Sequence, residues 1–184
     1  RDFDGMVPNL NMTASAAGPN VAGISIRGIG YTGIEKTNSP QVGMIVDGLQ
    51  MGSTTGALID TFDIESIEIN RGPQGVLFGK NTLGGNVVVN RVRPQLDGFG
   101  LKVQAEVGNY DKKSLKARVN IPLIEDTLAI KIGAVERTQD GWWTNDTLNE
   151  SVGNIDVSSQ TIALRFSPND QVDAILTYDR IRDD

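Results

Sequence analysis

Leu101-Lys102-Val103-Gln104-Ala105-Glu106-Val107 places an apolar residue at every second position and a polar or charged one between. A period of two is the mark of a β-strand with one apolar and one polar face. The reading repeats downstream. Leu115, Ala117, Val119 and Ile121 alternate with Lys116, Arg118 and Asn120. Leu128, Ile130, Ile132 and Ala134 alternate with Ala129, Lys131 and Gly133. Ile162, Leu164 and Phe166 alternate with Thr161, Ala163 and Arg165, and Val172, Ala174, Leu176 and Tyr178 with Asp173, Ile175, Thr177 and Asp179. Each segment is roughly 9–11 residues long, the length of a tilted strand that crosses a bilayer.

The connections alternate too. Residues 108–113 form a moderate polar link, 122–127 a short one, 138–158 a long polar one carrying Trp142 and Trp143, and 167–171 a short one again. Long loops at one end and short turns at the other suit an outer-membrane barrel, whereas a soluble sandwich or meander with one wet face would alternate equally well. The persistent charge on one parity, against a moderately apolar other parity, favours a polar lumen on one side and lipid on the other. Five such strands cannot close a barrel, because single-chain bacterial barrels start at about eight. The barrel reading therefore expects most of the barrel to lie outside these residues.

Composition narrows the chemistry. The 184 residues contain no His and no Cys. That excludes a Ser-His-Asp triad, a Cys nucleophile, disulfides, and the usual His/Cys zinc and haem sites. Lys+Arg is 17 against Asp+Glu 23, a net charge of −6. With no basic run, nucleic acid is not an expected partner. No stretch approaches the 18 consecutive apolar residues of a membrane-crossing helix, which leaves strand-crossing untouched. The chain opens at Arg1 without Met or a signal-peptide pattern and reads as a fragment or a processed product.

The first half has another texture: short β-like segments at 24–27, 42–47, 66–70 and 86–92, joined by Gly-rich links at 28–40, 48–56 and 72–85. A helix fits only around 56–62 and would be short. Pro94 and Gly98 mark a composition change, which places a boundary there and divides the chain into 1–94 and 95–184.

Several motifs invite a catalytic reading, and the residues argue against each. Gly28-Ile29-Gly30-Tyr31-Thr32-Gly33 matches a dinucleotide fingerprint, but Ile34–Pro40 is too short and too Pro-terminated to supply the helix whose N-terminus would hold a pyrophosphate. Gly75-Val76-Leu77-Phe78-Gly79-Lys80-Asn81 is one residue short of a P-loop and has Asn81 where a hydroxyl should hold Mg²⁺. Asp60, Asp63, Glu65 and Glu68 read better as solvated acids than as a metal or acid–base cluster. No catalytic residue, metal site or cofactor is expected. Trp142 and Trp143 could stack on a ligand, sit at a membrane interface, or pack their loop.

Taken together, five segments resemble the plug domain of TonB-dependent outer-membrane receptors: Val7-Pro8-Asn9-Leu10; Ile24-Ser25-Ile26-Arg27-Gly28; Val46-Asp47-Gly48; the stretch from Ile64 through Arg71-Gly72-Pro73-Gln74-Gly75; and Leu77 through Gly84-Gly85-Asn86 to Val89. They come in the family's order over about ninety residues. The resemblance implies an α+β plug, a small mixed sheet with Gly-rich loops, over 1–94. Over 95–184 it implies the first antiparallel strands of a transmembrane β-barrel, so the whole is predominantly β. It implies a bacterial outer-membrane active transporter that imports a scarce nutrient, by default an iron–siderophore complex, with energy from TonB. Haem, cobalamin and oligosaccharides stay open as ligands. Arg27, Gly28, Asp47, Gly48, Arg71, Gly72, Pro73, Gly84, Gly85 and Asn86 are its plug motifs. Arg71 could donate to wall carboxylates, and glycines permit close contact and φ > 0 turns. Arg27, Tyr31, Gln50, Ser53, Trp142 and Trp143 are the candidate ligand contacts, Arg27 serving equally well in a structural salt bridge. The family's TonB-contacting segment would precede this chain. The reading in another class is a secreted or periplasmic all-β ligand-binding module without transport activity.

Overall fold

The computed structural model describes residues 7–14, 22–31, 39–52, 61–145 and 150–183. They fall into two compact units, Arg1–Val92 and Arg93–Asp184.

In the first unit, β1 (Leu10–Ala14), β2 (Ala22–Ile26) and β3 (Ile29–Tyr31) form an antiparallel sheet. A second sheet contains β4 (Val42–Val46), β5 (Leu49–Gln50), β6 (Ile64–Arg71) and β7 (Gly85–Arg91) in the order β5-β4-β7-β6, with β4 and β7 parallel. Period-two patterning decides which side chains turn inward. Val42 and Met44 on β4 and Val87 and Val89 on β7 share one face, and they cluster with Leu10, Ile24 and Ile26 of the other sheet. Ile67 and Ile69 of β6 pack against this core, while Glu65 and Glu68 stay exposed. Four of these strands, β2, β4, β6 and β7, form where the sequence places β-like segments, with ends shifted by a few residues.

The short helix expected around 56–62 falls mostly on residues outside those described. Residues 53–60 lie outside the described residues, and Thr61–Asp63 is a single 3-10 turn. Among the described residues an α-helical turn forms at α1 (Gly75–Phe78). The Gln74 carbonyl accepts from the amides of Leu77 and Phe78, and Gly79, at φ 73°, ends the turn. Four residues are too few to show helical periodicity in sequence.

The second unit is one antiparallel sheet of β8 (Gly100–Gly108), β9 (Lys112–Ile124), β10 (Leu128–Gln139), β13 (Ile155–Asn169) and β14 (Val172–Asp183), in the order β14-β13-β10-β9-β8. A small hairpin of β11 (Trp143–Asn145) and β12 (Glu150–Val152) lies within the long connection. Most strands exceed the expected length, reaching 15 residues in β13. The first connection is tighter than expected: residues 109–111 form a turn as short as 125–127, with Tyr110 and Asp111 at positive φ.

Register turns the alternation into two faces. Leu101, Val119, Ile132, Ile162 and Tyr178 stand level across the five strands. Ile121, Ile130, Leu164 and Leu176 form the next row. This face is apolar and open: Leu101 is 65% and Leu176 73% exposed. The opposite face carries Lys102, Lys116, Arg118, Asn120 and Lys131, and Lys116, Asn120 and Lys131 are buried among their neighbours. A soluble sandwich would cover its apolar face and wet its polar one. Here the relation is reversed, as in a barrel with lipid outside and a polar lumen.

The apolar runs also drift in step. Their midpoint is residue 104 on β8, which stands level with Ile181 on β14, but the run on β14 is centred on residue 175. The band thus shifts by about six residues, roughly 20 Å, across four strand spacings of roughly 19 Å. A belt of constant height then requires strands tilted by roughly 45°, the tilt of an outer-membrane barrel.

Candidate functional site

Two hairpin turns carry the first motifs. Ile26 pairs with Ile29 and Val46 with Leu49, so Arg27-Gly28 and Asp47-Gly48 are two-residue loops. All four residues have positive φ: 53°, 77°, 49° and 82°. That is the type I′ pattern, whose twist matches the flanking strands. It also disposes of the dinucleotide fingerprint, because Gly28 is followed by strand β3 and not by a helix.

The two turns differ in what holds them. The Asp47 carboxylate accepts from the Arg91 amide at 2.8 Å and from Arg91 Nε at 2.6 Å, and the Asp47 amide donates to the Val89 carbonyl. Asp47 therefore pins its turn to the end of β7. Arg27 is exposed, and its amide donates to the Asn9 carbonyl at 2.8 Å. A non-glycine residue in the left-handed region costs about 1–2 kcal/mol. We predict that Arg27→Gly leaves stability within about 1 kcal/mol of the wild type. Asp47→Ala should cost about 1.5–3 kcal/mol through loss of a charge-assisted bond. Denaturant titration monitored by hydrogen exchange on β4 and β7 separates the two, and equal losses would refute the distinction.

The segment between β6 and β7 gathers the remaining plug motifs. Arg71, exposed, pairs along the ladder with Gly85. The Gly72 amide donates to the Gly84 carbonyl, the Gln74 amide to the Thr82 carbonyl and the Gly84 amide to the Gln41 carbonyl, so residues 72–84 fold back as a closed loop around α1. Pro73 is exposed just before it. At Gly84 a Cβ would meet Ile29 at 3.0–3.1 Å, and at Gly85, φ 139°, it would meet the Asn70 carbonyl oxygen at 2.1 Å. Asn86 is fully buried. Its Oδ1 accepts from Asn70 Nδ2 at 2.8 Å, while its Nδ2 has no hydrogen-bond partner.

The candidate ligand contacts are dispersed. Gln50 donates through Nε2 to the Lys80 carbonyl at 2.6 Å, a bond that ties β5 to the loop after α1. Tyr31 ends β3 opposite Ile24. Ser53 lies outside the described residues, as do 32–38 of the first Gly-rich link and Asp60 of the acidic cluster. In the second unit Trp142 is 46% and Trp143 67% exposed at the base of the β11–β12 hairpin. The nearby Asp140 amide donates to the carbonyl of Tyr110, itself 56% exposed in the β8–β9 turn. Among the described residues no group of three or more His, Cys, Asp or Glu could hold a metal ion.

On the polar face, Glu106 meets Lys112 Nζ at 3.2 Å and Gln104 Nε2 at 2.6 Å. The cross-strand partners Ser114 and Arg137 each keep a buried polar atom, Oγ and Nε, without a hydrogen-bond partner. Sequence reasoning missed a second construction on this face. Asn120, 6% exposed, accepts from the Gln95 amide at 2.8 Å and donates to the carbonyls of Gln95 and Gly98. Arg165 pairs with Asp173 at 2.8 Å and donates to the Pro94 carbonyl. Residues 93–98 are thereby strapped to β9 and β13. A buried Asn on a strand gives no sign in sequence of which backbone it holds.

Residues 2–86 match the family model of the TonB-dependent receptor plug domain. The pesticin receptor of Yersinia pestis is 28% identical over 167 residues, which cover 90% of this chain and 24% of the receptor. The ferrioxamine B receptor of Salmonella typhimurium is 30% identical over 104 residues, 54% of this chain and 15% of that one. The ferric yersiniabactin uptake receptor FyuA from Yersinia pestis superposes with a TM-score of 0.82 at 25% identity, over 95% of this chain and 27% of the receptor. The chain thus spans about a quarter of the length of the relatives it matches over most of its own. With its plug motifs in hairpin turns and a closed loop, and with a lipid-facing sheet after them, the chain belongs to the TonB-dependent receptors of the Gram-negative outer membrane.

Proposed function

We propose that the protein imports a scarce nutrient across the outer membrane, with an iron–siderophore complex as its cargo and TonB as its energy-coupling partner. One observation carries the reading: a plug-type unit and a sheet whose apolar face is exposed and whose polar face is charged occur in one chain. The relatives named for ferrioxamine B and for ferric yersiniabactin supply the ligand class. The reaction is translocation and uses no catalytic residue. The secreted-module reading fits poorly with a sheet that exposes Leu101, Val103, Leu115 and Leu176.

Two experiments test this. Ferric siderophores titrated against the protein expressed from its full reading frame should quench the exposed indoles of Trp142 and Trp143, and Trp143→Ala should weaken binding about tenfold or more. No quenching across hydroxamate, catecholate and carboxylate chelates would count against the ligand class. Ile132→Arg, near the middle of the apolar band, should cost about 2–4 kcal/mol of insertion. Thr161→Arg, on the polar face, should leave the protein in the outer-membrane fraction. Equal behaviour of the two variants would remove the lipid-facing assignment.

A further inference from the structure

We propose that Arg180 and Arg182 form a docking point for phosphate-bearing lipid headgroups in the outer leaflet. The inference rests on the membrane reading above and adds a ligand to it. Both side chains share the outward face with Tyr178, because Arg180 stands opposite Gln160 and Arg182 opposite Ser158 in the register that places Tyr178 opposite Ile162. Both are exposed.

Their height follows from the band geometry. The apolar run of β14 is centred on residue 175, so Arg180 and Arg182 lie five and seven residues beyond it. With roughly 3.3 Å per residue and a tilt of roughly 45°, they stand roughly 12 and 16 Å from the mid-plane. Half of an apolar band roughly 25 Å tall is about 12 Å, so the two guanidinium groups sit at headgroup level.

The end of the sheet is fixed by its connections. β14 rises from the two-residue turn at 170–171 toward the end where residues 140–154 form the long connection. Long loops face outward and short turns face the periplasm. At the short-turn end the outward positions Leu101, Ile121, Leu128, Phe166 and Val172 carry no cation. Outward cations therefore mark one leaflet only. Arginine suits the task because its planar fork binds phosphate bidentately, and Gln160 and Ser158 add hydrogen-bonding groups beside it. Tyr178 one row below supplies the interfacial aromatic that would pack on the adjoining acyl chain.

The test uses the protein expressed from its full reading frame and extracted from outer membranes in mild detergent, with retained phosphorylated lipid counted by native mass spectrometry. The doubly substituted Arg180→Gln/Arg182→Gln protein should retain about tenfold less than wild type. Arg180→Lys/Arg182→Lys should retain most of it, which also reports correct folding. Equal retention in the Gln protein, or no retention by wild type, overturns the proposal. So does displacement of the lipid by inorganic phosphate alone, which would show an adventitious anion site. A Gln protein that inserts and imports its cargo but keeps its lipid refutes only this inference. A protein absent from the outer membrane refutes the transport reading as well.

Discussion

Gly85→Ala should unfold the plug sheet at its centre, with a loss of about 3 kcal/mol or more. Two independent costs meet at this position. The backbone is at φ 139°, where side chains are rarely found, and an added Cβ would lie 2.1 Å from the Asn70 carbonyl oxygen. Neither can relax cheaply. Gly85 opens β7, which pairs with β4 on one side and with β6 on the other, so any shift breaks both ladders. It also displaces Val87 and Val89, which are 1% and 2% exposed in the core. Gly84→Ala should be milder, since its contacts with Ile29 at 3.0–3.1 Å need a shift of a few tenths of an ångström. Hydrogen exchange on Val87–Val89 amides measures both. Protection of these amides in the Gly85→Ala protein equal to wild type would contradict the argument.

Asn120→Ala should release residues 93–98 from the sheet at a cost of about 2–4 kcal/mol. The substitution deletes three hydrogen bonds at a buried site and leaves the Gln95 amide and two carbonyls unmatched. Asn120→Asp is the sharper probe. It retains the acceptor for the Gln95 amide but presents a carboxylate to the carbonyls of Gln95 and Gly98, so it should lose as much as the alanine variant. The Arg165–Asp173 pair, more exposed, should matter less. Exchange at the Gln95 amide, with urea titration for the global cost, reads the effect. An Asp variant as stable as wild type would show that the Nδ2 donors contribute nothing.

What the sequence revealed follows the range over which each feature is written. The five long strands are local alternations such as Leu101–Val107, and their registers carry the same parity onto one face, so the faces could be read before pairing was known, whereas the strands run longer than their apolar alternation. Asp47-Gly48 was readable as a turn because a two-residue loop with positive φ needs glycine or a tolerant neighbour, whereas Arg27-Gly28 read as a strand end and the start of a Gly-rich link, and the short β3 after it went unseen. The glycines at 84 and 85 signalled close approach, although not that Asn70 and Ile29 are what they approach. Features fixed by distant partners were not readable. The Asp47–Arg91 clamp spans 44 residues, the strap held by Asn120 spans 25, and the parallel pairing of β4 with β7 joins segments with β5, the 3-10 turn, β6 and α1 between them. Gln50 looked available for a ligand because nothing nearby in sequence shows that the Lys80 carbonyl would take its amide.

Uptake of radiolabelled ferric siderophores by cells producing the protein from its full reading frame, with and without functional TonB, tests the central claim most directly. The account predicts accumulation of at least one chelate that disappears when TonB is lost and when Ile132→Arg blocks insertion, and that survives Thr161→Arg. Accumulation indifferent to TonB, or none for any chelate by a protein correctly placed in the outer membrane, would contradict it.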